Sequence, residues 1–198
     1  MSDVVSTSAT TQPITLADAK LQLNVSSTID DTEITNILKA ATQYTENVTN
    51  RAWVTQTRTL TMNGFYDPRY VHDGVIYPPI SPLATVSSIK YTASDGTANT
   101  TLSTTTYTAS TGDVPGRIFE SYNNTWPTPR DVPNNVAVIY TCGYGSTQAV
   151  VPDNAKHAIR MLVSHWYRNR EAASELPFRE VPLTVDALLG NEMVPDYG

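Results

Sequence analysis

Residues 152–173 read PDNAKHAIRMLVSHWYRNREAA, and this stretch decides the fold. Its apolar residues Ala155, Ala158, Ile159, Leu162, Val163 and Trp166 recur at i, i+3, i+4, i+7, i+8 and i+11, along one face of a helix. Pro152 and Asp153 supply a start signal, because proline suits a first turn and aspartate accepts a free backbone N–H. Lys156, Arg160, Asn169 and Arg170 lie off the stripe. A helix with one apolar face needs a partner of the same kind, and the matching stripe lies more than 100 residues upstream. The sequence between them reads as β. The chain ends are therefore expected to meet in a helical core, with a β domain inserted between them.

Upstream, residues 1–13 are small and polar without periodicity and read as a flexible arm. Thr15 and Asp18 form a capping-box pair that opens a short helix with Leu16, Ala19 and Leu23. Asn24 and the serines after it break that helix. Asp30 and Asp31 then place acids at the positive end of a second helix. Its stripe is Ile34, Ile37, Leu38, Ala41, Tyr44, Thr45 and Val48, and it runs to about residue 50. The predicted helical core joins Ile34, Leu38, Ala41 and Val48 to Ala155, Ile159, Leu162 and Trp166.

From Trp53 the period changes to two. TQTRTLTM (55–62) is a threonine-rich alternating strand, VIY (75–77) a short one, and VSSIKY (86–91) another. Asp95-Gly96 marks a hairpin turn, and residues 98–109 continue it with Leu102 and Tyr107 pointing inward. RIFE (117–120) is brief, while NVAVIYTC (135–142) is the clearest strand and leads into Gly143-Tyr-Gly145. Short strands with frequent turns predict a small antiparallel barrel or sandwich. The fold class is thus α+β: a helical domain from residues 14–52 and 151–173, an inserted β domain over 53–150, and an extended tail over 174–198.

The 198 residues are 40% hydrophobic and 16% charged, with a net charge of -6. Such an acidic chain is not built to grip nucleic acid by phosphate neutralisation. No apolar run reaches the about 18 residues needed to span a membrane, and no secretory signal is recognisable. A single cysteine, Cys142, excludes an internal disulfide and reads as a buried structural thiol.

Catalytic chemistry finds no footing. His157 and His165 stand eight residues apart, about 12 Å of helical rise and about 80° in direction, so they cannot share a metal ion. Gly143-Tyr-Gly145 lacks the third glycine and the Lys-Ser/Thr of a phosphate loop and reads as a turn leaving a strand. No serine elbow, zinc spacing or kinase signature occurs. Neither an enzymatic activity, a cofactor nor a metal is expected. Arginines beside Trp166 and Tyr167 complement the negative end of the helix dipole.

Taken together, several pieces carry a resemblance. They are ITLADAKLQL (14–23), Asp30-Asp31, TNRA (49–52), TQT (55–57) and PPISPL (78–83), followed by VSSIKY and Asp95-Gly96. Then come Trp126-Pro127, VIYTCGYG (138–145), VPDNAKHAI (151–159), HWYRNRE (165–171) and VDALL (185–189). In this order over residues 14–189 the chain resembles the head-tail connector (adaptor) proteins of tailed bacteriophages, the group with a β domain inserted between helical ends. The resemblance implies a structural virion protein, made in the host cytoplasm and placed in the neck. It implies a ring with itself, typically of twelve copies, bound to the portal protein. That ring extends the DNA channel and docks the next neck or tail component, while DNA passes through the lumen without specific binding. It further implies a portal-binding C-terminal segment, with Leu176, Phe178, Val181, Leu183, Val185, Leu188 and Leu189 as anchors. The loop aromatics Tyr66, Tyr70, Tyr77, Tyr122 and Trp126 leave an alternative open, a carbohydrate- or receptor-binding β module of a virion.

Overall fold

A computed structural model of the chain describes residues 3–169 and 183–195. The chain divides into two compact units. One contains Met1–Ala9, Thr55–Tyr144 and Val194–Gly198; the other contains Thr10–Val54 and Gly145–Met193.

In the helical unit, α1 (Leu16–Leu23) opens on the expected capping box. The Asp18 amide donates to Thr15 Oγ1 over 2.9 Å, and the Thr15 amide donates to Asp18 Oδ2 over 3.0 Å. Asn24, at φ 57°, closes the helix in the left-handed conformation that asparagine tolerates. Helix α2 (Asp31–Thr49) ends the same way at Asn50, with φ 53°. Helix α3 (Asp153–Arg168) follows a 3-10 turn at Gln148–Val150. At the end of α3 the Asn169 side-chain amide donates to the His165 carbonyl over 2.8 Å and caps the final turn; residues 170–173, expected to continue the helix, lie outside the described residues.

Helices α2 and α3 pack on each other through the predicted stripes. Ile34, Leu38, Ala41, Ala155, Ile159 and Leu162 are buried. Trp166 is half-buried and meets Tyr44 edge-to-face, ring centroids 5.9 Å apart. Val48 is only half-buried. The inner positions of α2 fall to Thr42, Thr45 and Thr49, whose hydroxyls donate to the carbonyls of Leu38, Thr42 and Thr45 over 2.7–2.9 Å. Threonine enters this core because its own helix satisfies the hydroxyl, leaving the methyl to pack. Trp53, fully buried, belongs to this unit and not to the β unit; its indole N–H donates to Thr45 Oγ1 over 2.8 Å.

Within the tail, Val185, Leu188 and Leu189 lie on one short helix, as their spacing in the sequence suggests: α4 (Leu183–Gly190), which packs on α3 and α2. Arg51, at the end of α2, holds the residues after α4: its Nε donates to the Glu192 carbonyl and lies 3.6 Å from the Glu192 carboxylate.

The β unit has two antiparallel sheets. The five-stranded sheet has the order β1-β2-β9-β5-β6, and the four-stranded sheet the order β3-β4-β8-β7. The strands are β1 (Asp3–Thr7), β2 (Gln56–Met62), β3 (Val71–His72), β4 (Val75–Ile76), β5 (Leu83–Tyr91), β6 (Thr100–Thr101), β7 (Tyr107–Ser110), β8 (Arg117–Glu120) and β9 (Val136–Cys142). Strand β9 is central, paired with β2 from Gln56↔Cys142 to Met62↔Val136 and with β5 from Leu83↔Cys142 to Tyr91↔Val136. Its Val136, Val138, Tyr140 and Cys142 are buried, as period-two alternation requires for one covered face. Two irregularities in β5 shift its register on β9, so a nine-residue strand serves a seven-residue partner. Leu102 and Tyr107 point inward as expected. Val71–His72 pairs with β4. Neither sheet closes on itself among the described residues.

The N-terminal arm was expected to be flexible, yet its residues Asp3–Thr7 form edge strand β1 on β2. Hydropathy does not show it because its pairing is carried by backbone groups, and none of its apolar side chains is buried.

Candidate interaction surfaces

Beneath β1 the sheet carries a polar cluster. Arg58 Nε donates to Asp3 Oδ2 over 2.6 Å, and the Tyr140 hydroxyl donates to Asp3 Oδ1 over 3.1 Å. The Tyr140 side chain is fully buried and Arg58 mostly so. Burial pushes the Asp3 carboxyl above the ordinary aspartate range, although Arg58 opposes the shift. Burial likewise pushes the Tyr140 phenol well up, which keeps it a donor. Sequence reading missed this cluster because its members lie 55 and 137 residues from Asp3.

A second polar knot sits in the loop after β2. Asp67 accepts from the Asn63 amide over 2.8 Å, from the Arg69 amide over 3.1 Å, and from Arg69 Nε and Nη2 over 3.0 and 2.6 Å. The Arg69 bonds, more than any other cause, hold its carboxyl down at about 2.

The helical unit exposes apolar surface at α1. Leu16, Ala17, Lys20, Leu21 and Val25 line an open groove of about 580 Å³. Leu21 is 82% exposed, and Ile29, in the turn before α2, is 90% exposed. Lys20 Nζ is held 2.6 Å from Asp31, so the groove's only cation is already engaged.

The predicted portal anchors divide. Leu176, Phe178 and Val181 lie outside the described residues, as does the side chain of Leu183. Val185 and Leu189 are fully buried, and Leu188 is half-buried, in a helix that packs on α2 and α3. Val185 and Leu189 are therefore packed in the core of the helical unit. The apolar side of a short helix finds the nearest apolar stripe, and that stripe belongs to its own chain.

The loop aromatics divide as well. Trp126 is buried, stacked on Phe65 at 5.0 Å between centroids and 7° between planes, and its indole N–H donates to the Gly74 carbonyl over 2.9 Å. It is core packing and not a stacking platform for a sugar, whereas Tyr66 and Tyr122 remain exposed. Cys142 is buried in the central strand. Among the described residues no group of three or more His, Cys, Asp or Glu side chains could hold a metal ion. Nor, among them, is any helix long and apolar enough to cross a membrane.

A family model described as phage gp6-like head-tail connector protein matches residues 13–115, more than half of the chain. This chain belongs to that family. Its role is that of a structural head-tail connector in a phage-like particle. No curated protein matches it. Among solved structures, a chain from the virion of a native gene transfer agent particle is similar, with TM-score 0.78 and 18% identity over 98% of this chain and 96% of that one. A chain from the neck of the empty particle, computed with C6 symmetry, has TM-score 0.78 and 20% identity over the same shares. One from the neck of the native particle, computed with C12 symmetry, has TM-score 0.75 and 20% identity. At such identity the likeness establishes a shared fold over nearly the whole of this connector, including the region after residue 115 that the family model leaves unmatched.

Proposed function

We propose that this connector works without catalysis, as a closed ring of twelve identical subunits in the neck of a virion. The ring sits on the portal, extends the DNA channel and docks the next neck or tail component. The observation that carries the reading is family membership over residues 13–115, joined to a fold shared over 98% of the chain with neck chains solved under sixfold and twelvefold symmetry. A net charge of -6 on each subunit makes the ring strongly negative, which favours passage of DNA over its capture. The two sheets of the β unit are read as facing each other in a sandwich. Buried Leu60, Ile89 and Val138 on one and Ile76 and Ile118 on the other support that reading.

Portal binding is assigned to residues 170–182 with Leu176, Phe178 and Val181 as anchors, ahead of α4. Removing residues 176–198 would also remove Val185 and Leu189 from the helical core, so a clean test leaves α4 in place. The triple variant Leu176→Ser, Phe178→Ser, Val181→Ser is expected to keep the wild-type thermal unfolding temperature and to lose co-sedimentation with portal rings. Full retention on the portal by that variant removes the assignment. Mass measurement of the wild-type protein, alone and with portal, tests the ring itself. A particle that stays monomeric in the presence of portal defeats it.

A further inference from the structure

Strand β1 adds almost nothing to the apolar core. Val4 and Val5 are largely exposed, and no residue of Asp3–Thr7 is buried. It is held by backbone pairing to β2, by a hydrogen bond between the Ser6 and Thr59 hydroxyls, and by Asp3, seated between Arg58 and the Tyr140 hydroxyl. The acceptor beneath it is built otherwise. A mostly buried guanidinium and a phenol on a fully buried ring both meet one carboxylate at the edge of β2. Such donors are costly to leave without an acceptor, so this edge requires an occupant. Its requirements are an extended backbone and one carboxylate.

The connectivity of β1 adds a second observation. By its contacts Met1–Ala9 belongs to the β unit, while Thr10 already belongs to the helical unit. The strand is a detached piece on a tether, SATTQ (8–12), with neither glycine nor proline. Asp3 is the only charged side chain before Asp18, so the arm carries one charge and the socket one opposite charge to receive it.

We infer that β1 is an exchange strand: in the assembled ring the Arg58–Tyr140 socket of each subunit receives Asp3 and β1 of the neighbouring copy. The inference rests on the ring assembly proposed above. An exchanged strand makes the same hydrogen bonds as a strand docked on its own subunit, so the swap costs little beyond ordering the tether. No apolar side chain has to leave a core for it to happen. Each subunit gives one strand and receives one, a heterologous contact of the kind that closes into a ring.

Val4 and Thr59 are cross-strand partners, and antiparallel partners have Cα atoms about 4.5–5.5 Å apart, within disulfide reach. The full-length double variant Val4→Cys, Thr59→Cys is assembled on portal rings, oxidised, alkylated and run on a non-reducing denaturing gel. A ladder of covalently joined multimers is expected. The wild-type protein, whose single thiol Cys142 is buried, gives none. Monomer-sized product alone, from particles whose mass shows rings, overturns the exchange and leaves ring assembly standing. Wild-type protein that forms no ring overturns both. A second variant, Asp3→Ala, is expected to lower ring yield about tenfold through loss of a charge-assisted contact, and also to lower the thermal unfolding temperature of the free subunit, where Arg58 and the Tyr140 hydroxyl lose the same acceptor. An unaltered ring yield in that variant overturns the part assigned to the socket.

Discussion

Asp67 organises the loop after β2 with one side chain, whose exposure is 3%. Four donors converge on its two oxygens, and that explains a carboxyl held at about 2. Its folded pKa lies below the unfolded one, so its contribution to stability is complete above the ordinary aspartate pKa of about 3.9 and is lost as pH falls through about 2. Asp67→Ala is expected to cost about 1–3 kcal/mol in urea unfolding at neutral pH, since two backbone amides lose their acceptor. The gap from wild type should close when the same titration is run near pH 2. At this scale the sequence was legible where partners are neighbours. Thr15 and Asp18 lie one turn apart and cap α1 as read, whereas Asp3 and Tyr140 become partners only after the sheet has formed.

At the scale of elements, α3 shows how far periodicity reaches. Its buried residues are five of the six named from spacing, and the sixth, Trp166, lies against Tyr44. Leu162→Ala is expected to destabilise the helical unit by about 2–5 kcal/mol, read as a lower midpoint in chemical denaturation. Leu21→Ser, at an exposed position of α1, should leave that midpoint within about 0.5 kcal/mol of wild type. Helix α4 is a sharper test. If it is part of the core, Val185→Asp lowers the unfolding temperature of the free subunit. A Val185→Asp protein with unchanged unfolding and lost portal binding would return the residue to the anchor set. Periodicity missed β1 for the opposite reason: an edge strand held by backbone pairing and a few polar side chains has no apolar alternation to detect.

For the whole molecule, the division into a helical and a β unit follows from where the hydrophobic period changes. The chain changes units at Val54 and Thr55 and again at Tyr144 and Gly145. The first lies two residues from the expected boundary. The second lies six residues before the expected one, because the turn after β9 and the 3-10 turn belong with the helices. Assembly is the scale at which function resides. Sedimentation of the wild-type protein with portal should show a particle of ring mass, and raising salt should loosen it only modestly if exposed aliphatic residues such as Leu21 and Ile29 carry the contact.

By itself the sequence determined the paired helical stripes, the central strand, the capping box and the resemblance to head-tail connectors. Each of these is written in local spacing or in a run of neighbouring residues. Only the tertiary structure decided that the N-terminal arm is a strand, that three threonines line the core of α2, and that Val185 and Leu189 are buried within their own chain. It also decided that Trp126 belongs to the β core. Each of these depends on a partner tens of residues away or on a backbone group that every residue possesses, and neither leaves a mark in local composition.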